Sequence, residues 1–201
     1  LESRGLINVV IWSRGVNTTV FTPDEPHAYD LPGPIWVYVG RVSVEKNIQL
    51  FLDLELPGSK VVIGDGPDMQ RLSSAHPDCH FVGYRFGKEL AAYVAGGDVF
   101  VFPSKTDTFG LVMLEAMACG LPVAALPVTG PIDVVRNGVT GVLDEDLARA
   151  CHAALKLNPA DCRAYAESRS WKKSTEQFAE HLSQVSDENT TGVLQPENPG
   201  A

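Results

Sequence analysis

The segment DVFVFPSKTDTFGLVMLEAMACGLPVAA, residues 98–125, decides the fold. Val99 to Phe102 is an unbroken run of β-branched and aromatic residues, as expected of a strand buried on both faces. Leu111 to Cys119 is rich in helix formers, and Gly120 is a helix stop signal. Val123 to Leu126 is apolar again and reads as the next strand. Two buried strands joined through a helix form a βαβ unit, which requires the strands to be parallel.

The same alternation extends in both directions. Ile35 to Val39 (IWVYV) is a strand ending at Gly40, and Asn47 to Leu56 carries Ile48, Phe51, Leu52 and Leu56 at helical spacing. Lys60 to Ile63 is a strand ending at Gly64, and Pro67 to Ala75 suits a helix with proline in its first turn. Cys79 to Val82 is a strand before Gly83, and Lys88 to Ala95 a helix. Downstream, Ile132 to Arg136 reads as a short helix and Val139 to Leu143 as a last strand. Asn8 to Trp12 (NVVIW) reads as one more buried strand, joined to the rest by a proline-containing link from Pro23 to Pro34. The prediction is an α/β fold with a doubly wound, parallel, Rossmann-like sheet. Beyond Asp144 the chain is helical to about Val185, so residues 1–185 are expected to form one domain. Residues 186–201 are polar, contain Pro and Gly, and are expected to be a disordered tail.

With 201 residues and 44% hydrophobic content, the chain can fill the core of one domain. The net charge of −9 repels phosphate backbones, which argues against nucleic acid as a partner while leaving room for a local basic pocket. The four cysteines, Cys79, Cys119, Cys151 and Cys162, form no Cys-x-x-Cys pair and the histidines are scattered, so neither a zinc site nor a disulfide framework is expected. A reduced, cytoplasmic setting is the simplest account. No apolar run is long enough to span a membrane. The opening LESRGLINVV lacks a starter Met and is not a signal peptide; it reads as the middle of a longer sequence.

Doubly wound sheets bind ligands outside the carboxyl ends of their strands, so the loops there are the places to look. In GRVSVEKN, residues 40–47, Arg41 and Lys46 could clamp a diphosphate or be ordinary solvated charges. GDGP, residues 64–67, could let the backbone approach a ligand through Gly64 and Gly66, with Pro67 opening the helix, or could be only a tight turn. The dinucleotide fingerprint fails, because Met69 stands where its third glycine belongs, and there is no Walker lysine. TDTFG, residues 106–110, precedes a helix whose free N–H groups and dipole suit a phosphate. Asp107 and Thr108 could equally be helix caps.

From Thr108 to Ile132 the only charged side chain is Glu115. An unpartnered buried carboxylate is costly, and its neighbours here are apolar. A diol such as a ribose would supply two donors; the alternative is an exposed glutamate on the outer helix face.

Taken together, IWSRGVNTTVF, YVGRVSVEKN, VVIGDGP, FVGY, DVFVFPSKTDTFGLVMLEAMACGLPVAA and GPIDVVRNGVTGVL closely resemble the carboxyl-terminal half of retaining glycosyltransferases of the two-Rossmann-domain (GT-B) type, family 4. The resemblance runs from about residue 8 to residue 180. It implies that Arg41 and Lys46 bind the donor's diphosphate and stabilise leaving-group charge without a metal or other cofactor. It implies that Phe109, Gly110 and Leu111, with Thr108 beside them, cradle phosphate and that Glu115 accepts from the ribose hydroxyls. GDGP, Tyr84 and Arg85 would pack around the base. The family's acid pair is Glu-x7-Glu; here Asp107 stands first, one methylene shorter, which bears on the donor sugar. Asn17 stands where many relatives have Asp.

The implied reaction is transfer of a hexose, of glucose or mannose type, from a UDP- or GDP-sugar to an acceptor hydroxyl, with retention. The amino-terminal acceptor domain of such enzymes is absent from this chain, which is therefore expected to bind nucleotide-sugar without turnover. A lipid acceptor would imply peripheral docking at the inner membrane face. A non-catalytic nucleotide-binding module and a nucleotide-sugar 2-epimerase are the alternatives. The epimerase is disfavoured because the loops lack a convincing His.

Overall fold

The computed structural model describes residues 12, 14–107 and 110–190. The elements are β1 (Ile35–Val39), α1 (Ile48–Asp53), β2 (Ser59–Ile63), α2 (Met69–Ala75), β3 (His80–Gly83), α3 (Gly87–Ala95), β4 (Val99–Phe102), α4 (Leu111–Ala118), β5 (Val123–Ala125), α5 (Pro131–Val134), β6 (Gly141–Leu143), α6 (Leu147–Ala154), α7 (Pro159–Ser168) and α8 (Trp171–Thr190). All six strands are parallel, in the order β3-β2-β1-β4-β5-β6. This is the doubly wound, Rossmann-like arrangement that the alternation of elements predicts.

Strand residues alternate between two apolar layers, as the pleat requires. Val37, Val61, Ile63, Phe100, Phe102 and Val123 face α3, α4 and α7. Trp36, Tyr38, Val62, Val99, Val101 and Ala124 face α1, α2 and α6. Burial on both faces explains why the strands read as continuous apolar runs.

Boundaries differ from the sequence expectation where local geometry intervenes. Asn47 adopts the left-handed conformation (φ 52°) between a single 3-10 turn, Val44–Lys46, and α1, so the helix begins one residue later than expected. It stops where Leu54 turns extended. Pro67 lies ahead of α2, which opens at Met69 rather than at the proline. The last helix continues to Thr190, five residues into the segment expected to be disordered. The expected strand at Asn8–Trp12 lies, but for Trp12, outside the described residues, as do residues 191–201. Among the described residues no helix is long and apolar enough to cross a membrane.

Candidate functional site

The strand order reverses direction between β1 and β4, and a crevice opens there above their carboxyl ends. Its walls are the loops that follow these two strands, the ones carrying Arg41 and Lys46 and, after β4, Asp107 and Gly110. The loops are cross-linked at three points. Lys46 Nζ donates to Asp107 Oδ2 at 2.6 Å, Asn47 Nδ2 to the Pro103 carbonyl at 3.0 Å, and Thr106 Oγ1 to the Glu45 carbonyl at 3.4 Å. Tyr38 reinforces the first loop by donating to the Arg41 carbonyl at 2.9 Å. Burial, with Asp107 and then Glu45 nearby, raises the Tyr38 pKa, so its hydroxyl remains a donor.

Two cavities meet in this crevice. The first, about 370 Å³, is lined by Lys46, Asp107, Ser104, Gly110, Leu111 and Arg14. The second, about 630 Å³, is lined by Glu115, Gly64, Asp65, Tyr84, Arg85 and Phe86. Both are bounded by Val39, Gly40, Arg41 and Val112, so Arg41 stands at their junction. The first compartment is cationic and faces the start of α4. There Gly110 sits at φ 68° as N-cap without a side-chain cap, leaving backbone N–H groups toward the cavity. A Cβ at Gly110 would come within 2.5 Å of Met113 Cε, so the turn into the helix requires glycine.

The second compartment is mainly apolar, with two acids, of which Asp65 accepts from the Gly66 N–H at 2.7 Å. Met113, Leu114, Ala116, Met117 and Ala118 bury the rest of α4, whereas Glu115 faces this cavity. Among the described residues its carboxylate has no hydrogen-bond or ion-pair partner, and burial pushes its pKa up. Tyr84 and Phe86, 69% and 71% exposed, stack at the mouth with ring centroids 6.3 Å apart. Arg85 pairs with Glu89 at 2.8 Å and lies over the Tyr93 ring, which fixes it at the rim.

The structure thus brings Arg41, Lys46, Asp107, Gly110, Leu111, Glu115, Gly64, Tyr84 and Arg85 around one continuous crevice. Gly66 and Pro67 line neither compartment. Gly66 instead packs so closely on the Val42 backbone that a Cβ would collide with the Val42 carbonyl oxygen, so its role is to seat the turn. Thr108 and Phe109 lie outside the described residues. Asn17 lines neither compartment; its Oδ1 accepts from Thr19 N, Thr19 Oγ1 and Val20 N, a turn that aspartate could make equally well. Residues not singled out from sequence include Arg14, Ser104, Asp65 and Phe86. Arg14 follows an apolar run in IWSR as Arg41 does in YVGR, and Phe86 is an aromatic two residues from Tyr84, so both carried a signal.

Residues 33–157 match the family described as glycosyl transferases group 1. The chain belongs to this family. It is 39% identical over 151 residues to a GDP-mannose-dependent alpha-mannosyltransferase of Mycobacterium tuberculosis (strain CDC 1551 / Oshkosh), an alignment covering 71% of this chain and 40% of that protein. The lipopolysaccharide outer core galactosyltransferase WaaB in its apo form superposes with a TM-score of 0.73 at 18% identity, over 92% of this chain and 58% of that one. Anabaena HepE in complex with UDP-glucose superposes with a TM-score of 0.67 at 20% identity, over 85% of this chain and 56% of that one. The group 1 glycosyltransferase chain described here therefore has the fold of a GT-B Rossmann-like half. It spans less than half the length of the mannosyltransferase it matches.

Proposed function

We propose that the crevice holds a nucleotide-sugar and that the chain is the donor-binding half of a retaining hexosyltransferase. The donor is a UDP- or GDP-sugar of glucose or mannose type, and the acceptor is a hydroxyl of a lipid, polysaccharide or small molecule. One observation carries this reading: a cationic compartment at a helix start is continuous, through Arg41, with an apolar compartment that contains a single unpartnered carboxylate. A nucleoside diphosphate has the matching order of groups. Its diphosphate suits Lys46, Arg41 and the N–H groups of α4, its ribose diol suits Glu115, and its base suits the stacked Tyr84 and Phe86. A GDP-mannose-dependent relative supports the same donor class.

In the proposed transfer the bond between the anomeric carbon and the diphosphate oxygen breaks. Lys46 and Arg41 neutralise the departing charge, so the step needs no metal. The acceptor oxygen bonds to the anomeric carbon on the same face, and its proton passes to the leaving phosphate oxygen. Asp107 holds sugar hydroxyls, which requires its pair with Lys46 to open or be shared on binding. Residues 1–201 by themselves bind donor without turnover, because the acceptor must be held by groups outside this crevice. A lipid acceptor would bring the longer enzyme to a membrane surface.

Calorimetric titration of residues 1–201 with GDP, UDP and NAD tests the reading. One of the two nucleoside diphosphates should bind in preference to NAD, and Lys46→Ala should weaken it roughly 10- to 100-fold through loss of a charge-assisted contact. Preference for NAD would contradict it, and sugar transfer by this chain alone would contradict the binding-only part.

A further inference from the structure

At the opposite end of the strands from the crevice, α2 stops at His76 and β3 starts at His80. The turn between them reads His76-Pro77-Asp78-Cys79. The Cys79 N–H donates to the His76 carbonyl at 3.1 Å, which folds the turn back on itself. One ligating atom each from the His76 imidazole, the Asp78 carboxylate and the Cys79 thiol then lie within 4.8 Å of one another. Among the described residues this is the one place where three such donors converge.

We propose that His76, Asp78 and Cys79 bind a divalent cation of the zinc class. A neutral imidazole, a carboxylate and a thiolate balance a divalent charge, and the nitrogen–sulfur set suits a borderline-soft ion rather than magnesium or calcium. Tetrahedral bonds of about 2.0–2.3 Å place ligand atoms about 3.6 Å apart, so the donors must close by about 1 Å. Asp78 is exposed, which leaves its carboxylate free to rotate inward. Water completes the coordination, and the Asp53 carboxylate lies 3.6 Å from His76 Nε2. Gln49 Nε2 lies 3.1 Å from that ring nitrogen and 2.8 Å from Asp53 Oδ1, linking the site to α1.

Burial and then Asp78 push the Cys79 pKa up, while Lys60 opposes them. Lys60 Nζ is itself held by the Leu52 and Leu54 carbonyls at 2.6 and 2.5 Å. Placed at the amino ends of the strands, the ion ties α2, β3 and α1 together and acts on stability, away from the donor crevice.

Cobalt(II) titration of the purified, metal-stripped chain provides the test. One equivalent should give a thiolate-to-cobalt charge-transfer band with tetrahedral visible absorption, and one equivalent of zinc should displace it and raise Tm. Cys79→Ser should abolish the charge-transfer band. Asp78→Asn, at an exposed position that spares the core, should weaken cobalt binding about 10-fold or more. Nucleoside diphosphate affinity should be the same with and without zinc. A protein with no stoichiometric band, or a band that survives both substitutions, overturns the proposal.

Discussion

Glu115 shows how far a single side chain can be understood before its ligand is known. The sequence marks it, because a lone charge in a long uncharged stretch needs a partner or solvent. The structure places it in a cavity where no donor among the described residues bonds to its carboxylate. Its raised pKa has a definite sign. The folded state takes up the glutamate proton at higher pH than the unfolded state, so the desolvation penalty is fully present above the folded pKa and disappears as pH falls below the unfolded one. Glu115→Gln should therefore raise Tm at neutral pH by roughly 2–4 °C, and the gain should vanish on acidification through the ordinary glutamate range. Paired thermal melts across pH check this; a pH-independent gain would point to packing instead. Phe86 and Arg14 were less legible, since an exposed aromatic or cation means little until the chain's long-range contacts place it beside a cavity. Asp107 was legible as an acid in the right loop. Its 2.6 Å pair with Lys46 was not, because the partners are 61 positions apart.

At the scale of elements, two devices hold the crevice in shape. Asn47 combines a left-handed backbone with a side-chain bond to the Pro103 carbonyl, fixing the loop after β1 against the loop after β4. Asn47→Ala should cost about 1–3 kcal/mol, from the αL penalty and the lost hydrogen bond, and should weaken nucleotide binding as well. Asn47→Gly removes the bond but relieves the backbone, so its stability in urea should lie between those of Ala and wild type. Arg163 of α7 is the second device. Its guanidinium donates to the Ala118 carbonyl at 2.7 Å, to the Phe21 carbonyl at 2.8 Å and to the Thr18 carbonyl at 3.1 Å, closing the end of α4 and anchoring the segment that contains Thr18 and Phe21. Arg163→Ala should destabilise the chain by about 2–4 kcal/mol, since three carbonyls lose a charged donor. Denaturant unfolding measures both losses. Neither device could be read from periodicity: Asn47 looked like the first residue of a helix, and the partners of Arg163 lie 45, 142 and 145 positions away.

At the scale of the whole molecule, the alternation of buried strands and helices was sufficient to predict a parallel, doubly wound sheet. Burial on both faces leaves a local signature in every strand. Strand order leaves none, because β1 and β4 pair Trp36 with Val99 and Val37 with Phe100, far apart in sequence. The position of the crevice, and the fact that its two loops face each other, became visible only with that pairing. The central claim is that one nucleoside diphosphate spans both compartments, with its ribose diol on Glu115. A thermodynamic cycle tests this most directly. Calorimetry would compare the preferred nucleoside diphosphate with its 2′,3′-dideoxy analogue on wild-type protein and on Glu115→Gln. If Glu115 accepts from the diol, removing the hydroxyls should cost wild type about 10- to 100-fold in Kd and cost Glu115→Gln far less. Equal losses on both proteins would place the ribose elsewhere and contradict the account.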